Sequence, residues 1–146
     1  MARILAIDYG RKRTGIAVTD ELQLIATGLA TVPSAEVTSF LSAYLQKEKV
    51  ERLIVGEPRQ MNNLPSESVK YIEPFICSLK KNFPAIPVER MDERFTSKLA
   101  FRAMAEAGLK KKDRQNKDLV DKISATLILQ SYLESRSMVK QDPSAP

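Results

Sequence analysis

Five short stretches of the chain, rich in apolar and β-branched residues and bounded by turn signals, predict β-strands. A short basic connection around Gly10 joins the first two, which is typical of an antiparallel hairpin. The fourth stretch, RLIVG, is apolar at almost every position, as expected of a parallel strand buried on both faces. The predicted strands are residues 3–8, 15–20, 24–32, 52–56 and 87–91.

Between and after these strands, apolar residues recur at helical spacing and predict four helices. Ser34 is the expected N-cap of the first helix, and Gly108 the expected stop of the third. Pro74 falls inside the second helix and predicts an interruption or a kink there. The predicted helices are residues 35–49, 66–83, 96–107 and 118–135, with a charged linker at 110–117 before the last.

The resulting order of elements, βββαβαβαα, predicts an α/β fold: a five-stranded mixed sheet flanked by helices. The chain of 146 residues fits one domain. We expect that domain to cover residues 1–138, with a flexible tail at 139–146. Sheets that contain parallel strands bind ligands at the carboxyl ends of those strands, so chemistry is expected at that edge.

The residue content excludes several chemistries. The chain has no histidine and a single cysteine, Cys77, so Ser-His-Asp and Cys-His catalysis, histidine-ligated zinc and four-cysteine zinc sites are excluded. Carboxylates remain as the main reactive groups, and their oxygen atoms favour hard cations such as Mg²⁺ or Mn²⁺.

The charge pattern favours a polyanionic partner without requiring one. A net charge of +5 and a pI near 9.4 suit contact with a phosphate backbone, although a solvated lysine-rich surface has the same composition. The first residues lack the long apolar core of a signal peptide, and no stretch approaches a membrane span. We therefore expect a soluble cytoplasmic protein that does not contact a membrane.

Acidic residues stand at the ends of three separate predicted elements. Asp8 ends the apolar first strand, where an acid is costly unless it is hydrated, paired or bound to metal. Asp92 and Glu93 directly follow the fifth strand and point to opposite faces if the backbone stays extended. Asp121 lies in the first turn of the last helix, where Asp118 is the expected N-cap.

Each acid also has an ordinary structural interpretation. Asp8 would cap a turn, and the other acids would complement helix dipoles. Three such acids in a chain without histidine are better explained by a shared metal, with only one of Asp92 and Glu93 able to join Asp8 easily.

In this order, the motifs resemble those of the YqgF (RuvX) family, from residue 3 to about residue 135. They are Asp-x-Gly-x-x-Arg-x-Gly-x-Ala-x-x-Asp at 8–20, Val-Gly-x-Pro at 55–58, Asp-Glu-Arg-x-Thr-Ser at 92–97, and the last helix with its Ile-x-Leu-Gln run. The chain departs from the family's usual Met-Asp-Gly turn, since it has Met61-Asn62-Asn63 there. Glu57 fills the variable position of Val-Gly-x-Pro and adds a fourth candidate acid.

The resemblance implies an RNase H-like nuclease related to the RuvC Holliday junction resolvases, acting on pre-16S rRNA or on branched DNA. It also implies a catalytic, metal-binding set of Asp8, Glu93 and Asp121. Two Mg²⁺ or Mn²⁺ ions about 3.5–4 Å apart would then activate water and stabilise the leaving oxygen. In this scheme Asp8 bridges the ions, and Glu93 and Asp121 each hold one side.

Basic residues near these acids are candidate nucleic-acid contacts. Arg13 and Arg94 suit a phosphate clamp, because a planar guanidinium binds phosphate in bidentate fashion; both also suit surface salt bridges. The linker lysines Lys110, Lys111 and Lys112 suit the nucleic-acid backbone, or form a solvated linker.

Two other classes of protein fit parts of the pattern. An actin-like or sugar-kinase-like ATPase shares the Asp-x-Gly hairpin but needs a second related domain, for which 146 residues leave no room. A non-catalytic nucleic-acid-binding module would keep the fold without needing all three acids. The sequence does not decide whether the substrate is RNA or DNA. It also does not decide whether the protein is a monomer or a homodimer.

Overall fold

A computed structural model describes residues 2–57, 69–92 and 117–141 of the chain, with side chains described for 2–56, 72–91 and 122–135. All five predicted strands are present and form one sheet in the order β3-β2-β1-β4-β5. The strands are β1 Arg3–Tyr9, β2 Arg13–Thr19, β3 Ala26–Pro33, β4 Val50–Glu57 and β5 Val88–Asp92. The predicted mixed sheet is therefore confirmed, and no strand boundary is shifted by more than two residues.

The pairing of the strands brings the C-terminal ends of three strands to one edge of the sheet. Strands β1, β2 and β3 pair antiparallel, whereas β4 pairs parallel to β1 and β5 parallel to β4. The register joins Ile7 to Val55, and the last pair of β4 and β5 is Glu57 with Asp92. The edge where β1, β4 and β5 end is called the carboxyl edge below, and the opposite edge the amino edge.

Three α-helices are described: α1 Val37–Lys47, α2 Val69–Asn82 and α3 Lys117–Gln141. None of these helices is long and apolar enough to cross a membrane. The predicted helix at 96–107 lies outside the described residues. Helix α3 begins one residue before Asp118, which therefore lies in its first turn and not at its N-cap, and it includes the first three residues of the predicted tail.

Two further details of the helices differ from the prediction. Ser34 does not cap α1: it starts a short 3-10 turn, Ser34–Glu36, and Glu36 stands at the cap position without a side-chain hydrogen bond. Helix α2 is assigned without a break through Pro74, so the predicted interruption is absent. Pro74 is exposed and costs the helix one backbone hydrogen bond, which burial of the opposite face outweighs.

The two faces of the sheet are covered by different helices. One face packs against α1 and α2, in a cluster that includes Leu5, Ile7, Leu41, Val55, Ile76 and Leu79. The other face packs against α3, in a cluster of Ile4, Ala6, Ala17, Ile54, Ala125, Ile128 and Leu129. Neighbours along β1 and β4 thus alternate between the two clusters, as the period-two geometry of a strand requires.

Candidate functional site

Asp8 lies at the carboxyl edge, on the face that α3 covers. Its two chain neighbours, Ile7 and Tyr9, belong to the cluster on the opposite face, and the ring of Tyr9 stacks on Phe75 of α2 with centroids 4.0 Å apart. Because neighbouring residues of a strand point to opposite faces, Asp8 continues the row of Ile4 and Ala6. Its side chain is half-buried.

Glycines flank Asp8 on both neighbouring strands. Gly15 is its direct partner in β2, and Gly56 follows Val55, the β4 partner of Ile7. Both glycines are buried and place no side chain beside the Asp8 carboxylate on this face of the sheet. Asp8 is therefore flanked across the sheet by two positions that carry no side chain.

Helix α3 brings the position of Asp121 to the same face. Position 121 lies one helical turn before Ala125 and two turns before Ile128, and both of these residues are buried against the sheet in the cluster of Ala6. Positions three, four and seven residues apart share one face of a helix. The backbone of α3 therefore presents position 121 on its sheet-facing side; the Asp121 side chain lies outside the described residues.

The remaining predicted site residues are only partly within the described structure. Asp92 is the last residue of β5, where it pairs with Glu57. Glu93, Arg94, Lys110, Lys111 and Lys112 lie outside the described residues. Among the residues that are described, no three His, Cys, Asp or Glu side chains form a group able to bind a metal ion.

The hairpin after Asp8 is closed by a set of hydrogen bonds that require a glycine. The Gly10 amide donates to the Arg13 carbonyl at 3.0 Å, and a β-carbon at Gly10 would lie 2.4 Å from that oxygen. Ser34, expected to cap a helix, instead donates from its hydroxyl to the Gly10 carbonyl at 2.5 Å, and its amide donates to the Lys12 carbonyl at 3.0 Å. Arg13 is half-buried at the start of β2, opposite Pro33.

Two contacts fix α3 on the sheet. Towards its C-terminal half, one Arg52 nitrogen donates to the Tyr132 hydroxyl at 2.7 Å and to the Glu89 carboxylate at 2.6 Å, and the bond to Tyr132 raises the pKa of Arg52. Near its start, the stem of Lys122 lies over Gly28 of β3, where a β-carbon would come within 2.6 Å of the Lys122 Cγ. These contacts fix the position of the helix on the sheet, and with it the distance of residue 121 from β1.

Asp20, the last acid of the first motif, has a structural role. Its carboxylate accepts backbone hydrogen bonds from the amides of Leu22, Leu24 and Ile25, at 3.2, 2.8 and 2.8 Å. These bonds, that of Ile25 foremost, hold the pKa of Asp20 below its ordinary value. Asp20 follows β2 at the amino edge, the length of the strand away from Asp8.

Comparisons of the sequence with known proteins find a family and close relatives. A family model named RuvX and described as a Holliday junction resolvase matches residues 2–135. A protein of Bacteroides thetaiotaomicron, named "Putative pre-16S rRNA nuclease", is 69% identical over 136 residues, covering 93% of this chain and 99% of the relative. A protein of the same name from Flavobacterium psychrophilum is 61% identical over 133 residues, covering 91% and 97%.

Solved structures share the fold at low sequence identity. T. thermophilus RuvC in complex with a Holliday junction substrate gives a TM-score of 0.56 at 16% identity, covering 94% of this chain and 97% of that one. The fowlpox virus Holliday junction resolvase gives 0.53 at 17% identity, covering 92% and 99%. These similarities confirm the RNase H-like fold class predicted from the sequence.

Proposed function

The chain belongs to the RuvX family, and from that premise we propose that it is a metal-dependent nuclease that hydrolyses phosphodiester bonds in structured nucleic acid. The observation that carries the proposal is the near-complete match to relatives named as pre-16S rRNA nucleases. The favoured reaction is therefore processing of the 5′ end of pre-16S rRNA. Resolution of a branched DNA junction is the second candidate, because the family description and the structural neighbours concern Holliday junctions.

We assign the chemistry to Asp8, Glu93 and Asp121. Support for Asp8 comes from its half-buried position at the carboxyl edge between two glycines. Support for Asp121 comes from α3, whose sheet-facing side continues from Ala125 and Ile128 to position 121. Asp8 and the backbone position of residue 121 thus lie on the face of the sheet that α3 covers.

Alternation along β5 favours Glu93 over Asp92 as the third acid. Met91 packs in the α3 cluster, whereas Arg90 of the same strand forms a salt bridge with Glu73 of α2, on the opposite face. An extended continuation of β5 assigns position 93 to the face of Met91 and of Asp8, and position 92 to the α2 face. The same argument sets position 57, two residues after Val55, on the α2 face.

The set of donors suits Mg²⁺ or Mn²⁺, because it consists of carboxylate oxygens in a setting without histidine or a second cysteine. Bound ions of this kind supply an activated water and stabilise the leaving oxygen in phosphodiester hydrolysis. The protein's own part is to hold carboxylates together on one face. Arg13 and Arg94 would orient the phosphate, and Lys110, Lys111 and Lys112 would contact the backbone further away.

The proposed partner is nucleic acid. The protein would bind it as a monomer or as a homodimer. A cytoplasmic location and a single domain over residues 1–138 stay predictions from the sequence. The cytoplasm is where processing of ribosomal RNA precursors would take place.

The experiment that tests the proposal compares three matched substrates: an RNA with the 5′ region of pre-16S rRNA, a linear duplex DNA and a four-way DNA junction. Each is incubated with the purified protein in Mg²⁺, in Mn²⁺ and in EDTA. We expect cleavage of the RNA that depends on the metal. Cleavage of the junction alone would select the second candidate function, and binding without cleavage of any substrate would make the chain a non-catalytic binding module.

A further inference from the structure

The tip of the β1–β2 hairpin, residues 10–13, carries three consecutive cations next to the candidate site. Arg13 already has a proposed role at the phosphate, but Arg11 and Lys12 have none, and both side chains are exposed. The tip follows Tyr9, so it projects from the carboxyl edge directly beyond Asp8. Substrate that reaches Asp8 therefore passes close to these two cations.

The backbone of the tip is held in one shape. The Gly10 amide and the Arg13 carbonyl close the turn, and Ser34 binds the carbonyls of Gly10 and Lys12 from the end of β3. Since the one hydroxyl proton of Ser34 goes to Gly10, the fully buried Thr14 donates to the Ser34 oxygen, at 2.9 Å. The turn is thus anchored to the sheet through β2 and β3.

This anchoring matters for binding. A flexible loop must be ordered when it meets a ligand, and that ordering reduces affinity. A tip already fixed by Ser34 and Thr14 loses little backbone freedom on binding. The carbonyl oxygens of Gly10, Lys12 and Arg13 also accept hydrogen bonds within the protein, so an approaching anion meets the cationic side chains of the tip.

We propose that the hairpin tip is a binding site for the phosphate backbone of the substrate next to the scissile bond, with Arg11 and Lys12 as the contacting residues. The inference rests on the proposed nuclease function, because it concerns the nucleic acid that enters that site. It concerns affinity and placement of the substrate, and not the chemical step.

A charge-matched pair of variants tests the proposal. Arg11→Gln/Lys12→Gln removes two positive charges at the carboxyl edge. Lys80→Gln/Lys81→Gln removes two from exposed lysines in the last turn of α2, next to the amino edge where β5 begins. Because both variants lose the same net charge, a difference in their affinities reports a local site, and equal affinities report general attraction between a basic protein and a polyanion.

The measurement is a binding titration in EDTA, across several salt concentrations, on the nucleic acid that the wild type cleaves. For two lost contacts we expect the slope of log affinity against log salt to fall by about 1.4–1.8 in the tip variant, and affinity near physiological salt to fall roughly tenfold or more. The α2 variant keeps the wild-type slope. Turnover at saturating substrate stays close to wild type in both.

Other outcomes overturn the inference in distinguishable ways. Equal losses in the two variants would show general electrostatic attraction, and unchanged binding in the tip variant would show a solvated turn. Lost turnover at unchanged affinity would move the tip into the chemistry. A wild-type protein that binds and cleaves no nucleic acid would remove the proposed function itself, whereas a wild type that cleaves with an unaffected tip variant removes only this inference.

Discussion

Two aspartates of the same sequence motif lie in different surroundings, from which we expect different roles. Asp8 stands between glycines at the carboxyl edge, on the face that α3 covers. Asp20 stands at the amino edge, where the amides of a turn surround its carboxylate. The motif places both acids near strand ends, and only the pairing of the strands separates a candidate ligand from a turn residue.

This difference predicts the behaviour of Asp20→Ala. The variant should melt at a lower temperature at neutral pH and should retain metal-dependent cleavage. The folded-state pKa of Asp20 is lowered, so its stabilising effect is present above the unfolded value near 3.8 and is lost as the pH falls through the folded value. Thermal unfolding of both proteins from neutral pH to well below 3.8 checks this. A difference in melting temperature that stays constant over that range would contradict the role given to the carboxylate.

Asp92, the last residue of β5, and Glu93, the next residue in the sequence, are also predicted to have different roles. Glu93→Gln should reduce cleavage at least about 100-fold, because loss of the carboxylate would misplace the reacting groups and misplacement costs about that much. Asp92→Asn should have little effect. The cleavage rates of the two variants, measured at saturating metal, test this prediction. The reverse ranking would mean that the strand continues in the other register, and loss of activity in Glu57→Gln alone would place the ligand on β4.

The geometry of the candidate site depends on how α3 lies on the sheet. Position 121 is useful only if the first turns of the helix are fixed, and the contact between Lys122 and Gly28 of β3 fixes them. The stem of Lys122 lies where any larger residue at position 28 would need room. Gly28 is therefore a packing residue with a consequence for the site.

We predict that Gly28→Val destabilises the protein by about 1–3 kcal/mol, the usual cost of overpacking, and lowers cleavage because the first turns of α3 shift. The new side chain would meet the Lys122 Cγ and Cδ and the Thr126 hydroxyl. Combining it with Lys122→Ala should restore much of both losses. Denaturant unfolding and cleavage rates of the single and double variants test this; an equal loss in the Lys122→Ala background would place the cause within β3.

The elements were predictable where local patterns decide them. Period-two and continuous apolar runs predicted all five strands, and helical spacing predicted α1, α2 and α3. Ser34 was misassigned because a serine after a strand is a common helix cap, whereas its actual partners, Gly10 and Lys12, are more than twenty residues away in sequence. Pro74 leaves α2 continuous because its neighbours pack well enough on the sheet, which the sequence alone does not show.

The order of elements is sufficient to predict the mixed sheet, and it assigns the candidate site to the carboxyl edge. It was not sufficient to show that Asp8 and position 121 share one face, since that depends on which side of the sheet α3 covers. The glycines on both sides of Asp8 were visible in the motifs, but their pairing with it was not. The roles of Glu93, Arg94 and the lysines at 110–112 stay predictions.

The central claim is that this chain cleaves nucleic acid through metal held by Asp8 and its partner acids. The most direct test is the cleavage rate of wild type and Asp8→Asn on the substrate that the wild type cleaves, across a range of Mg²⁺ concentrations, with melting temperatures as the check on folding. The substitution keeps the size of the side chain and removes the charge that a cation needs. We predict a folded variant whose rate falls to that of the wild type in EDTA at every Mg²⁺ concentration; a folded Asp8→Asn protein that cleaves at the wild-type rate would contradict the account.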